Sequence, residues 1–264
     1  GRFLPAYVEG ERDGLIDRIA ALRNDPRSWA VTRLLQLMCE NEPYGASSLG
    51  TREQAEGITP EALYAVWTAA LASAQLELFY CGTTAPDAIQ ALLRDTPFAA
   101  ARSGVSPLPQ TGIPAAPAGA VREIIEEEQV MQGKLALGFR TGGISLTHGE
   151  LAACQLFQTV LGGSTSSKLF LNVREKRSLC YYASAQLIAA KGLMVISSGI
   201  ENANFAAARD EILHQLDLCR AGGITGDEVE AARRTLTTMW RAMLDDPLSL
   251  ERYWLGQAAA GTLV

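Results

Sequence analysis

The stretch Val160–Tyr181, VLGGSTSSKLFLNVREKRSLCY, says most about the architecture of this chain. Its two adjacent glycines are typical of a helix end, because glycine closes a helix without a steric cost. The residues after them predict a second helix over 166–176, which carries Arg174, and then a strand that begins at Tyr181. A phosphate-binding loop is excluded, because that loop needs a glycine directly before Lys168 and a serine or threonine directly after it.

Hydrophobic periodicity on both sides of this stretch predicts a mixture of helices and strands. Asp25 and Pro26 predict a corner between two helices within residues 9–40, and Thr59 predicts the N-cap of a third helix. Lys191 and Gly192 predict the turn of a β-hairpin. The strands are expected over 75–81, 121–129, 134–140, 181–189 and 193–200, and the later helices over 86–94, 147–161, 204–220, 225–244 and from 248 onwards.

An internal repeat accompanies these elements. Shifting the chain by 221 residues places 21–36 on 242–257, and six of the 16 aligned residues are identical. About one identity is expected at ordinary residue frequencies, so the repeat favours an internal duplication. Residues 103–119 contain four prolines and three glycines, which predicts a linker. We therefore expect the C-terminal part of one domain over 1–102 and the N-terminal part of a second, homologous domain over 120–264.

Composition excludes several classes of protein. The chain has 29 acidic and 23 basic side chains and a formal net charge of −6, which argues against a surface that binds nucleic acid or an anionic membrane. No apolar run approaches the roughly 18 residues that cross a bilayer, so no membrane association is expected. The five cysteines are scattered and form no C-x-x-C pair, which is typical of thiols in a reducing compartment. We therefore expect a cytoplasmic protein.

The pair of glycines, the helix that carries Arg174 and the tyrosine after six intervening residues closely resemble the second-domain motif of the insulinase/pitrilysin-type metallopeptidases, which include the mitochondrial processing peptidases. The first 70 residues resemble the same family through the Glu11–Arg12 pair, the Asp-Pro corner and the turn over 42–45. The resemblance implies an α/β fold (α+β sandwich), in which helices pack on an antiparallel sheet and the unit is duplicated.

The same resemblance implies a binding role for two side chains. Arg174 and Tyr181 would be substrate-binding residues that donate hydrogen bonds to a peptide backbone. Tyr182 is an adjacent alternative to Tyr181. Either tyrosine is also explained as a strand residue that packs on the sheet, since aromatic side chains are common in strands.

The resemblance also implies where zinc ligands would lie. Peptidases of this family bind zinc through an H-x-x-E-H motif and a distant glutamate. The motif is absent from this sequence and would lie upstream of Gly1. The place of the distant glutamate, seven residues after Glu11, is held by Arg18, whose guanidinium stays protonated and repels a cation. Asp17 would point about 100° away around the helix, so we expect no metal site in this chain.

These departures predict a catalytically inactive, zinc-less subunit or domain that binds peptide and complements a zinc-bearing homologue in proteolysis. The expected partners are that homologous peptidase subunit and a peptide or small protein substrate, with zinc present only in the partner subunit. Two alternatives remain open, a segment of an active zinc endopeptidase whose H-x-x-E-H motif lies upstream and a pure scaffold protein. Incomplete half-domains would expose apolar faces, so we also expect association as a dimer.

Overall fold

The computed structural model describes residues 1–94, 96, 104–108, 112–117 and 119–263. These residues form two compact units. One contains the described residues of Gly1–Ala21, Ser47–Gln110 and Pro247–Val264, and the other contains those of Leu22–Ala46 and Thr111–Asp246. The predicted linker over 103–119 lies partly outside the described residues, and the predicted domain boundaries stay predictions.

The helices and strands follow the order that the periodicity predicted in most of the chain. In chain order the elements are α1 Pro5–Ala21, α2 Pro26–Met38, α3 Arg52–Glu56, α4 Pro60–Ser73, α5 Pro86–Arg94, β1 Gly133–Arg140, α6 Leu151–Gly162, a π-helix over Leu169–Lys176, β2 Cys180–Ile188, β3 Leu193–Ile200, α7 Phe205–Arg220, α8 Gly226–Met243 and α9 Pro247–Ala260. The mixed fold with an antiparallel sheet is therefore confirmed.

The unit that contains α1, α3, α4, α5 and α9 is helical and incompletely covered. Helix α4 begins where the sequence predicted, since the hydroxyl of Thr59 accepts a hydrogen bond from the backbone N–H of Ala62. No described residue of α4, α5 or α9 is buried. Val66 and Trp67 of α4 are exposed to solvent. This unit therefore has uncovered apolar faces.

The other unit is built on a three-stranded antiparallel sheet in the order β1–β3–β2. Seven of the eight residues of the central strand β3 are buried, because helices cover both faces. On one face, Met194, Ile196 and Ile200 belong to the core that includes residues of α6, the π-helix and α7. On the other face α2 crosses β1, and a Cβ added at Gly138 would lie 2.0 Å from the sulfur of Met38.

Two predicted strands are wrong. Residues 75–81 and 121–129 have no regular secondary structure, and no strand pairs with them in the described part of the chain. Their large apolar side chains stay in water, and Val121 and Ile125 are among the exposed residues. An alternating pattern produces a stable strand only where a neighbour satisfies its backbone groups and covers one face.

A buried ionic cluster fixes the loop after α2 to the sheet. The carboxylate of Glu42 pairs with the guanidinium of Arg140 at 2.5 Å and with the ammonium group of Lys191. Arg140 ends β1 and Lys191 lies in the hairpin turn, and both side chains are buried. Burial alone would raise the pKa of Glu42, but the hydrogen bonds and charges of Lys191 and Arg140 lower it below its ordinary value.

Candidate functional site

Arg174 lies near the end of the π-helix, on the side that faces away from the core. Leu169 and Val173 of this helix are fully buried against the sheet, which fixes the side of the helix that packs inward. The guanidinium of Arg174 lies 4.7 Å from the ring centroid of Phe170 and 3.3 Å from the carboxylate of Glu175. The guanidinium is therefore half-exposed and supported by a ring, while donors remain directed to solvent.

A left-handed residue connects the π-helix to β2. Ser178 has a φ of 51°, the one positive φ outside glycine in the described residues. This conformation allows the N–H of Ser178 to donate to the carbonyl of Arg174, and the N–H of Leu179 to donate to the carbonyl of Val173, both at 3.0 Å. The chain thus reverses within a few residues and enters the sheet with its backbone groups satisfied.

Tyr181 is the extra residue of a β-bulge. The pairing of β2 with β3 passes from Cys180 opposite Ile200 directly to Tyr182 opposite Gly199. Tyr181 consequently has no partner in the ladder, its side chain is 49% exposed, and its hydroxyl donates to the carboxylate of Glu201 at 3.0 Å. That hydrogen bond and the negative charge of Glu201 raise the pKa of Tyr181 above its ordinary value, so the phenol keeps its proton at neutral pH.

Tyr182 occupies a different environment from its neighbour. A Cβ at Gly199 would lie 2.5 Å from the ring of Tyr182, so the ring rests directly on a glycine of β3. The guanidinium of Arg27 covers the ring at 4.1 Å from its centroid. Burial raises the pKa of Tyr182, with the charge of Arg27 opposing that effect. This tyrosine packs on the sheet, whereas Tyr181 is exposed, with its hydroxyl bonded to Glu201.

The two predicted binding residues therefore present hydrogen-bond donors from one short segment. No hydrogen bond joins Arg174 to Tyr181 among the described contacts, and each instead contacts a carboxylate, Glu175 and Glu201 respectively. The charge of Arg174 reaches Cys180, the residue before Tyr181, where it opposes the rise in thiol pKa that burial causes. The guanidinium of Arg174 has further N–H groups that can donate to carbonyl oxygens of an extended peptide. The phenol of Tyr181 has one proton, so it can donate to a peptide only in exchange for its hydrogen bond to Glu201.

The residues of α1 do not fit a zinc ion. The helix is continuous over Pro5–Ala21, so Glu11 and Arg18, two turns apart, share one face. Arg18 and Asp17 are both exposed. The part of the chain that the structure describes contains no group of three or more histidine, cysteine, aspartate or glutamate side chains suited to a metal. No chemical step in this chain is therefore assigned to zinc.

One feature near the site was not predicted from the sequence. Lys168, directly before the π-helix, is buried and pairs with Glu228 of α8 at 2.7 Å. Glu228 also accepts from the backbone N–H of Thr225, which completes a capping box at the start of α8. The T-x-x-E pattern over 225–228 is a signal that could have revealed the cap, but nothing local to the sequence indicates the lysine partner.

Comparisons with known proteins agree with the fold and with the resemblance to a peptidase family. The family model described as "Peptidase M16 inactive domain" matches residues 57–236, which include Arg174 and Tyr181. A Bacillus subtilis protein named "Probable inactive metalloprotease YmfF" is 33% identical over 258 residues, which are 98% of this chain and 60% of that protein. The chain thus spans about 60% of the length of this relative. A Mycobacterium leprae protein named "Uncharacterized zinc protease ML0855" is 27% identical, over 89% of this chain and 53% of its own length.

Solved structures show the same fold. A conserved protein from Enterococcus faecalis superposes with a TM-score of 0.83 at 27% identity, over the whole of this chain and 62% of the other. A peptidase M16 inactive domain from Pseudomonas fluorescens gives a TM-score of 0.79 at 19% identity, over 99% of this chain and 62% of that one. In the described residues, no helix has the length and apolar character needed to cross a membrane. The predicted resemblance to a non-catalytic member of a metallopeptidase family is confirmed, and this chain belongs to the peptidase M16 inactive-domain family.

Proposed function

We propose that this chain is part of a non-catalytic peptidase subunit that binds an extended peptide through Arg174 and Tyr181 and so complements a zinc-bearing homologue in proteolysis. One observation carries the proposal. Two hydrogen-bond donors of a kind suited to peptide carbonyls are exposed from an irregular segment, while Arg18 replaces the carboxylate that a zinc site would need. In this division of labour the homologue supplies the metal and the general base, and this chain supplies the peptide contact.

The irregular backbone of the segment supports a binding role. A π-helix, a left-handed serine and a β-bulge follow one another between Leu169 and Tyr181. Each of these features costs stability or regular pairing, and each is over-represented at functional sites. A purely structural connection between a helix and a strand would not need all three. The scaffold alternative makes no use of exposed donors here, so peptide affinity separates the two hypotheses.

Peptide affinity of the isolated chain provides the first test. Fluorescence anisotropy with labelled 15-residue peptides that tile reduced, unfolded α-lactalbumin would measure the dissociation constant of each variant. Loss of a charged hydrogen-bond donor costs about 10-fold or more in affinity, so Arg174→Ala should weaken binding by at least that factor. Tyr181→Phe, which removes one neutral donor, should weaken it about fivefold. Arg220→Ala, on an exposed arginine of α7, is the charge-matched control and should leave affinity unchanged.

Turnover provides the second test. The full-length protein combined with its zinc-carrying homologue should cleave the same peptides, and Arg174→Ala should reduce kcat/KM without removing zinc from the complex. Equal turnover and equal peptide affinity for wild type and Arg174→Ala would refute the proposed role and favour a scaffold. Stoichiometric zinc bound to the full-length protein alone would favour an active endopeptidase instead.

A further inference from the structure

A chain of polar side chains links α7 to the π-helix and to the residue that follows it. The ammonium group of Lys176 donates to Asn172 at 3.0 Å, and the amide of Asn172 donates to the side-chain oxygen of Gln215 at 2.8 Å. The amide of Gln215 in turn donates to Glu211 at 2.7 Å. The second carboxylate oxygen of Glu211 lies 3.0 Å from Nε of Arg177, which caps the C-terminal end of the π-helix.

The two residues on α7 are buried beside the hydrophobic core. Gln215 is 4% exposed and Glu211 is 7% exposed, and the neighbouring Ile212 and Leu216 belong to the hydrophobic core. Burying an amide and a carboxylate is costly unless each polar atom has a partner, and a well-packed apolar pair would stabilise such a position at least as well. Stability alone does not explain their presence. The polar pair adds specificity of geometry. Hydrogen bonds fix the register of the helix that they contact, and apolar packing fixes that register less strictly.

Register is the property on which the direction of Arg174 depends. A π-turn differs from an α-turn by one extra residue, so conversion of one into the other rotates the following side chains by about 100° around the helix axis. Asn172 and Arg177 flank Arg174 in sequence, and both are held by the α7 pair, one directly by Gln215 and one by Glu211. Contacts with α7 therefore hold the segment that carries Arg174 both before and after this residue.

We infer that Glu211 and Gln215 are positioning residues that hold the π-helix in the register in which Arg174 faces a bound peptide. This inference rests on the proposed function, since it concerns the residue proposed to contact the peptide. Neither side chain touches the peptide itself. Their contribution to affinity is transmitted through Asn172 and Arg177, and it disappears when Arg174 is absent.

A double-mutant cycle with Arg174 tests this dependence. Gln215→Met keeps the volume of the side chain and removes both hydrogen bonds, and Asn172→Ala breaks the same link at a half-buried position that tolerates alanine in a helix. Each variant should weaken binding of the tiled α-lactalbumin peptides at least fivefold in the wild-type background and less than twofold in the Arg174→Ala background. Ile212→Val, which removes one buried methylene from the same helix without touching the polar chain, is the matched control and should leave affinity unchanged in both backgrounds.

Amide hydrogen exchange gives a second readout that needs no peptide. Exchange over residues 169–179 should accelerate at least tenfold in Gln215→Met and in Asn172→Ala relative to β3, whereas Ile212→Val should affect both regions alike. If Arg174→Ala weakens peptide binding but Gln215→Met and Asn172→Ala do not, the positioning role is wrong and the proposed function stands. If Arg174→Ala has no effect on binding, the proposed function fails. Unchanged exchange over 169–179 in both variants overturns the positioning role whatever the peptide result.

Discussion

Removal of the carboxylate of Glu228 should destabilise the fold and loosen the start of the π-helix. One oxygen of Glu228 lies 2.7 Å from Nζ of Lys168, and the other accepts from the N–H of Thr225 at 2.8 Å. The side chain of Lys168 is 9% exposed and that of Glu228 is 27% exposed. Little water can therefore solvate the charge that is left on Lys168 when the carboxylate is removed. Lys168 directly precedes the π-helix, and the ion pair therefore fixes that helix to α8.

The two contacts of Glu228 have separable magnitudes. Loss of an N-cap interaction costs about 1 kcal/mol, which is the expectation for Thr225→Ala. This variant removes the hydroxyl that accepts from the N–H of Glu228, while the N–H of residue 225 can still donate to the carboxylate of Glu228. A fully buried ion pair that loses one partner costs about 3–5 kcal/mol, and partial exposure of the carboxylate places Glu228→Gln below that range, at about 2 kcal/mol. Glu228→Gln retains an oxygen that can accept from Thr225. Glu228→Ala loses both contacts, and because one carboxylate makes both, the two losses are coupled and about 2–3 kcal/mol is expected.

Urea denaturation followed by far-ultraviolet circular dichroism would measure these differences at a constant m-value. A Glu228→Gln variant within about 0.5 kcal/mol of wild type would refute the claim that the buried pair stabilises the fold, because errors of extrapolation are smaller than the predicted loss. The pH dependence supplies a second check. Burial would raise the pKa of Glu228, but the hydrogen bonds and charge of Lys168 and the contact with Thr225 lower it overall. The stabilisation is therefore present above the ordinary carboxyl pKa of 4.5 and is lost as the pH falls through the lower folded value.

Two further predictions concern strain and buried charge. Ser178→Gly should raise the free energy of unfolding by about 1 kcal/mol, because glycine adopts a φ of 51° without the steric cost that serine carries, whereas Ser178→Ala should give no such gain. Equal stabilities of the glycine and alanine variants in urea would contradict this. Glu42→Gln should cost about 3 kcal/mol at neutral pH, since Arg140 and Lys191 would face a neutral amide inside the protein. The pKa of Glu42 is lowered, so the deficit should shrink as the pH falls below its ordinary value of 4.5, and a deficit that stays constant down to acid unfolding would contradict the assignment.

Local signals in the sequence predicted most of the helices correctly. Asp25 accepts hydrogen bonds from two backbone N–H groups at the start of α2, and Thr59 does the same for one at α4, as their positions before a proline indicated. The hairpin turn at Lys191 and Gly192 is also where it was predicted, with Gly192 at a φ of 64°. These features depend on neighbours in sequence, so a pattern of residue types contains the information needed to find them.

Long-range contacts explain what the sequence could not supply. The strands predicted over 75–81 and 121–129 have suitable side chains, but a strand also needs a partner, and no local pattern specifies which segments pair. The ion pairs of Lys168 with Glu228 and of Glu42 with Lys191 join residues far apart in sequence. The helix expected over 166–176 is present as Leu169–Lys176, but its π-geometry and its hydrogen bond to Gln215 of α7 have no local signal in the sequence.

The bulge in β2 shows why residue spacing alone cannot assign the binding tyrosine. Residues opposite each other in an antiparallel ladder lie on the same face of the sheet, and a shift of one residue exchanges the faces. Without the bulge, the pairing of Tyr182 with Gly199 would place Tyr181 opposite Ile200, on the face that α6, the π-helix and α7 cover. The bulge gives that core-facing position to Cys180, whose thiol is small enough to be partly buried there. Tyr181 is thereby released from the ladder and is 49% exposed, and this exposure, not the count of six intervening residues, is what makes it the candidate for a peptide contact.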